Sequence, residues 1–192
     1  MEAKLEQRRS RNLLKIVLFG PESTGKTTLA QMLAEHFHTR WVPEYMREYL
    51  QLKWDKEQKS CEPHDLLPIA VGQMALENKM AAKADELLFC DTNLLELVVY
   101  SRAYYDEFVD PSLLKPALKA QYDLYFLTYI DVPWVEDDLR DRPLQRDQMF
   151  DRFKSTLEKN DLPYRLLQGN LQQRFETAVK IIEELKIQKI EL

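Results

Sequence analysis

Apolar residues fall into short runs and helical stripes that alternate along the chain. Leu14-Lys15-Ile16-Val17-Leu18-Phe19 is a nearly continuous apolar run, the pattern of a parallel strand buried on both faces. After it, Leu29, Ala30, Leu33, Ala34 and Phe37 recur at the spacing of one helix face. The same reading predicts a short strand at 40–43, a helix from about 44 to 52 and a polar loop over 53–63. A long helix spans about 64–84, with Pro68 and Gly72 as points of adjustment. A strand at 87–91, a helix over about 93–105, a short helix at 111–120 and a strand at 122–128 follow. A charged segment then precedes a helix near 143–160. A strand at 163–167 and a helix over about 170–186 complete the pattern. Strands alternating with helices predict an α/β, three-layer fold built on a five-stranded parallel sheet. Ligands of such sheets bind beyond the carboxyl ends of the strands. Residues just past each strand are therefore the candidates for chemistry.

The first such stretch is Gly20-Pro21-Glu22-Ser23-Thr24-Gly25-Lys26-Thr27, a complete G-x-x-x-x-G-K-T or Walker A loop between a strand and a helix. Gly20 and Gly25 let the backbone bend tightly and approach a ligand. Backbone N–H groups of the loop, with Glu22, Ser23, Thr24 and Thr28 on or beside it, surround phosphate oxygens at a helix start. Lys26 reaches the β/γ-phosphates, and the Thr27 hydroxyl ligates Mg²⁺. The chain is thus expected to bind ATP with Mg²⁺ and to have the P-loop NTPase fold.

Asp91 closes the apolar strand at 87–91, where a P-loop protein carries its second metal-binding acid. An Asp-Thr-Asn sequence at this place could equally cap the next helix. Glu44 follows the second strand, where a carboxylate can accept a hydroxyl proton, and Asp91 is its rival for that role. Arg47 lies three residues on, so it shares a helix face with Glu44 and can meet substrate, phosphate or Glu44 itself. Trp41 and Tyr45 are candidates to stack on a flat base, with core packing as the alternative. Gln73 and Asn78 could hydrogen-bond a substrate or simply lie at the surface. The segment Val132 to Arg146 mixes arginines and acids. Arg140 and Arg142, with Arg146 third, are candidates to neutralise phosphoryl charge from a lid that excludes water.

At 192 residues the chain suits one α/β domain, expected over 14–192 behind a polar tail at 1–13. The net charge of −5 disfavours a nucleic-acid surface, and Arg8-Arg9-Ser10-Arg11 fits a solvated tail. Two cysteines make no disulfide framework: Cys90 fits a core strand, and Cys61-Glu62-Pro63-His64 lacks a second pair for zinc. With no signal-peptide pattern and no apolar stretch of membrane-spanning length, a cytoplasmic protein is expected.

Taken together, the Walker A filling, Glu44-Tyr45 with Arg47-Glu48, Asp91-Thr92-Asn93 and Trp134-Val135-Glu136-Asp137-Asp138-Leu139-Arg140 resemble the ribosylnicotinamide kinase domain of the NadR type. The resemblance runs in order from about residue 14 to residue 167. It implies ATP-dependent phosphorylation of nicotinamide riboside to nicotinamide mononucleotide on a P-loop kinase fold. It places Lys26, Thr27 and Asp91 on the nucleotide and Mg²⁺, and Glu44, Tyr45 and Asn93 near the riboside. NadR-type proteins often carry an adenylyltransferase domain, and some a helix-turn-helix. With about 13 residues ahead of the first strand, neither is expected here. Other readings are a kinase for another nucleoside or nucleotide, a nucleotide-dependent switch or ATPase binding a protein partner, and a nucleic-acid end kinase. The sequence leaves the oligomeric state open.

Overall fold

β1 (Leu14–Phe19) is buried at every residue and lies at the centre of the sheet. It is flanked by β3 (Leu87–Asp91) and β4 (Leu124–Thr128), with β2 (Arg40–Val42) and β5 (Tyr164–Leu167) at the edges. The order is β2-β3-β1-β4-β5, and all pairings are parallel. A computed structural model describes residues 4–8, 12–139 and 143–190. Its helices are α1 (Lys26–His36), α2 (Tyr45–Glu57), α3 (Leu66–Ala81), α4 (Leu94–Tyr104), α5 (Pro111–Lys119), α6 (Arg146–Lys159) and α7 (Leu171–Ile190).

The alternation of β1 sorts the core into two layers. Val17 and Phe19 face a cluster built with α3, α4, α5 and α6. Leu14, Ile16 and Leu18 face the other side, among Leu29 and Leu33 of α1 and Ala178 and Ile182 of α7. Each face of a central parallel strand is apolar because helices cover both. Register then sets the site: Leu18 stands beside Asp91 and Phe19 beside Leu127, so the ends of β1, β3 and β4 come level where the Walker loop begins.

Three expectations are corrected. The segment 53–57, read as loop, extends α2, since Lys-Trp-Asp-Lys-Glu holds no helix breaker. The helix ends at Gln58, which adopts a left-handed conformation and donates its N–H to Trp54 O. The long helix starts only at Leu66, after a 3-10 turn over Pro63–Asp65 in which Glu62 and Asp65 cap each other. Pro68 falls in its first turn, where no helical N–H is lost, and Gly72 does not interrupt it. Residues 4–8 of the expected tail pack on the domain. Leu5 is buried, Gln7 Nε2 donates to Glu77 at 2.7 Å, and Arg8 N donates to Asn78 Oδ1 at 2.7 Å. Among the described residues, no helix is long and apolar enough to cross a membrane.

Candidate active site

The Walker loop is held from behind by side chains that bind its carbonyls. Lys26 Nζ donates to Gly20 O at 2.7 Å and Pro21 O at 2.9 Å. Thr24 Oγ1 donates to Pro21 O, Arg146 Nη2 to Ser23 O, and Arg174 Nη1 to Thr24 O at 2.6 Å. In a trans peptide each C=O opposes the following N–H. The N–H groups of Glu22, Thr24 and Gly25 therefore point away from these donors. Gly20 has φ 146°, and a Cβ there would lie 2.6 Å from Thr128 Oγ1, so the loop can turn off β1 only with glycine. Gly25, at φ 80°, caps α1.

Below the loop, Thr27 Oγ1 donates to Asp91 Oδ2 at 2.6 Å, joining the start of α1 to the end of β3. The other oxygen, Asp91 Oδ1, is buried without a hydrogen-bond partner. A hydroxyl beside a carboxylate with a spare lone pair is the oxygen donor set of a hard divalent cation, so these two residues fit Mg²⁺. Burial pushes the Asp91 carboxyl above its usual range, with Lys26, Thr27 and Arg47 opposing. Burial by itself would lower the Lys26 ammonium, but Glu96, Glu44, Asp91 and Glu22 outweigh it and the net shift is upward. The lysine stays charged across the physiological range.

A cleft of about 430 Å³ opens from the loop. Glu22, Ser23, Thr24, Gly25, Lys26, Thr27 and Thr28 line it, together with Glu44 and Arg47 from the start of α2. The lining also holds four aromatic rings, Trp54, Tyr100, Tyr104 and Tyr105, of which Tyr100 and Tyr104 stand beside Pro21 and Glu22 of the loop. Asp138 and Leu139, past β4, complete the lining. That segment is tied down: Arg47 pairs with Asp137, and Val135 N donates to Ser23 Oγ at 2.9 Å.

The structure therefore gathers Glu44, Arg47 and the Walker residues around one cleft with Asp91 beneath, but it separates Tyr45 and Asn93 from them. The Asn93 oxygen caps α4 through Leu95 N and Glu96 N, and its nitrogen donates to Tyr125 OH; the residue is 1% exposed. Tyr45 packs its ring against Gly72 of α3, away from the cleft lining. Trp41 belongs to the core. Gln73 joins Tyr45 N to Pro43 O, and Asn78 holds the N-terminal segment. Arg140 and Arg142 lie outside the described residues. Arg146 is at the loop itself, with Nη1 on Val132 O and its guanidinium 5.7 Å from the Trp134 ring centre.

Sequence reasoning missed the aromatic lining and one acid. Glu96, Tyr100 and Tyr104 share a face of α4 at a four-residue spacing. Glu96 is buried, its Oε1 3.5 Å from Lys26 Nζ. An acid inside an otherwise apolar helix was the available signal. Near the cleft mouth, Glu62, His64 and Asp65 also converge, but the Lys53 ammonium already sits 2.7 Å from Glu62 and 2.6 Å from Asp65.

Known proteins are similar to this chain in sequence and fold. The trifunctional NAD biosynthesis/regulator protein NadR of Escherichia coli (strain K12) is 25% identical over 173 residues, which are 88% of this chain and 42% of that protein. The Salmonella typhimurium protein of the same name is 24% identical over the same shares. The chain thus spans less than half the length of these relatives. A solved structure of a NadR protein in complex with NR superposes on 90% of this chain and 51% of its own, with TM-score 0.78 and 21% identity. Deoxyadenosine kinase from M. mycoides covers 90% of this chain and 100% of its own, with TM-score 0.61 and 15% identity. At these identities the structural likeness establishes the P-loop kinase fold, and the resemblance carried by the motifs is borne out. Residues 15–174 match the AAA domain family, and the chain belongs to it.

Proposed function

We propose that the protein is a kinase that transfers the γ-phosphoryl group of Mg²⁺-ATP to the 5′-hydroxyl of a nucleoside, with nicotinamide riboside as the leading acceptor. The observation that carries this reading is a single cleft that joins the phosphate-binding loop and Glu44 to an aromatic chamber of Trp54, Tyr100, Tyr104 and Tyr105. A nucleotide switch has no need of such a chamber, whereas a kinase needs one to orient its acceptor. Tyrosine and tryptophan rings suit a flat base and favour a cationic one, such as a pyridinium. The kinship with NadR proteins and the solved complex of one with NR point to the same acceptor.

The loop N–H groups and Lys26 hold the phosphates. Bound to Thr27 and Asp91, Mg²⁺ would neutralise charge on the transferring group. Asp91 is committed to Thr27 and the metal position, which leaves Glu44 as the better-placed group to take the hydroxyl proton. Arg146, already on Ser23 O, is placed to steady the loop during transfer. Asp138 and Leu139 line the cleft, and closure of this segment over a bound nucleotide would exclude water and protect ATP from hydrolysis.

A panel of acceptors tests the assignment: nicotinamide riboside, deoxyadenosine and thymidine monophosphate, compared by kcat/KM. The riboside is expected to lead. Preference for either of the others would keep the kinase and replace its substrate; deoxyadenosine is the second choice because its kinase shares the fold.

A further inference from the structure

Glu96 is a buried acid for which phosphoryl transfer has no assigned use. It is 1% exposed, and its Oε2 has no hydrogen-bond partner. Among the described residues its cationic neighbour is Lys26, 3.5 Å away. A buried carboxylate is costly unless both its oxygens are satisfied. Its partner, moreover, has to move. Lys26 now rests on the carbonyls of Gly20 and Pro21, and a Walker lysine works by reaching the β/γ-phosphates. When Lys26 extends, Glu96 loses its nearest positive charge and gains nearby the net negative charge that a triphosphate keeps even with Mg²⁺ bound.

We propose that Glu96 is a positioning residue that holds Lys26 retracted while ionised, and that it takes a proton from solvent when Lys26 engages a bound nucleotide, so that nucleotide binding and proton uptake are coupled. This rests on the Walker loop being a nucleotide site. The proton adds to a Glu96 carboxylate oxygen, and no other bond changes. The groups that bear on Glu96 are Lys26 of α1, Glu44 at the start of α2, Asp91 and Thr92 at the end of β3, and Tyr100 one turn along α4; Glu22 of the loop bears on Lys26 and Tyr100. Burial is the largest influence on its carboxyl and raises it to about 8; Glu44 and Asp91 add to that, and Lys26 opposes it. Lys26 and Tyr100 are both shifted upward, so neither changes charge near pH 8.

Calorimetric titration of the full chain with Mg²⁺ and the non-hydrolysed analogue AMP-PNP reads this out, in two buffers of different ionisation enthalpy at pH 8.5. Uptake of more than about half a proton per nucleotide is expected, with a Kd that weakens about eightfold from pH 7.5 to 9.0. Glu96→Gln, which keeps the shape and removes the charge, should abolish the uptake and flatten the profile. If that variant does not fold, Glu96→Ala serves the same comparison. Binding without uptake in the wild type, or equal uptake in wild type and variant, overturns the role of Glu96 and leaves the kinase reading intact. No binding at any pH overturns both.

Discussion

Four carboxylates, those of Glu22, Glu44, Asp91 and Glu96, bear on the single ammonium of Lys26. Burial raises the carboxyls of both Asp91 and Glu96, the latter to about 8. In the unfolded chain a glutamate loses its proton near pH 4.3. Between these values the folded state binds more protons than the unfolded state, so stability falls as pH rises. The thermal midpoint of the nucleotide-free protein should decline from pH 5 to pH 8, and Glu96→Gln should reduce the decline. A midpoint that climbs across that range, or an unchanged slope in the variant, would show that Glu96 ionises normally. Lys26, Thr27 and Asp91 were legible because the Walker spacing and a strand ending in an acid each carry a mechanism. Glu96 was not, because Leu-Leu-Glu-Leu-Val-Val-Tyr has the pattern of a core helix and only the tertiary fold brings it to Lys26.

Helices place the acceptor side of the cleft, and their packing depends on one close approach. A Cβ on Gly72 of α3 would stand 2.0 Å from the Tyr45 ring of α2. Alanine in a helix interior ordinarily stabilises by about 1 kcal/mol over glycine. Here the added methyl would overlap the ring and force it to shift, and overpacking of this kind costs about 1–3 kcal/mol. Gly72→Ala should therefore lower the denaturation midpoint without changing the m-value, and weaken activity by displacing Glu44 and Arg47 at the head of α2. A gain in stability would mean that α2 can shift freely against α3. The elements themselves were largely readable from apolar spacing. The exceptions have local causes: a polar stretch continues α2, and Asn93, read as a substrate contact, closes a helix end. An N-cap and a ligand contact draw on the same residue types, and sequence alone does not separate them.

At the scale of the whole molecule, Arg174 of α7 ties the Walker loop to the β4–β5 side of the sheet. Its buried guanidinium donates to Thr24 O, Tyr129 O and Gly169 O and pairs with Asp131, joining the loop, the end of β4 and the start of α7. Methionine in its place would fill the space but leave these acceptors unpaired, at a cost of about 3–5 kcal/mol. Arg174→Met should thus lower stability and loosen the phosphate loop together, which thermal unfolding with and without AMP-PNP would show. An unaffected shift on nucleotide addition would make Arg174 a purely structural tie. Such long-range braces carry no local sequence signal, since Arg174 lies in an ordinary amphipathic helix.

Mass detection of product from purified protein, Mg²⁺-ATP and nicotinamide riboside is the most direct measurement. Nicotinamide mononucleotide formed in step with ADP, and lost in Lys26→Ala, is the predicted result. ATP turnover that the riboside leaves unchanged, with no phosphorylated product, would contradict it.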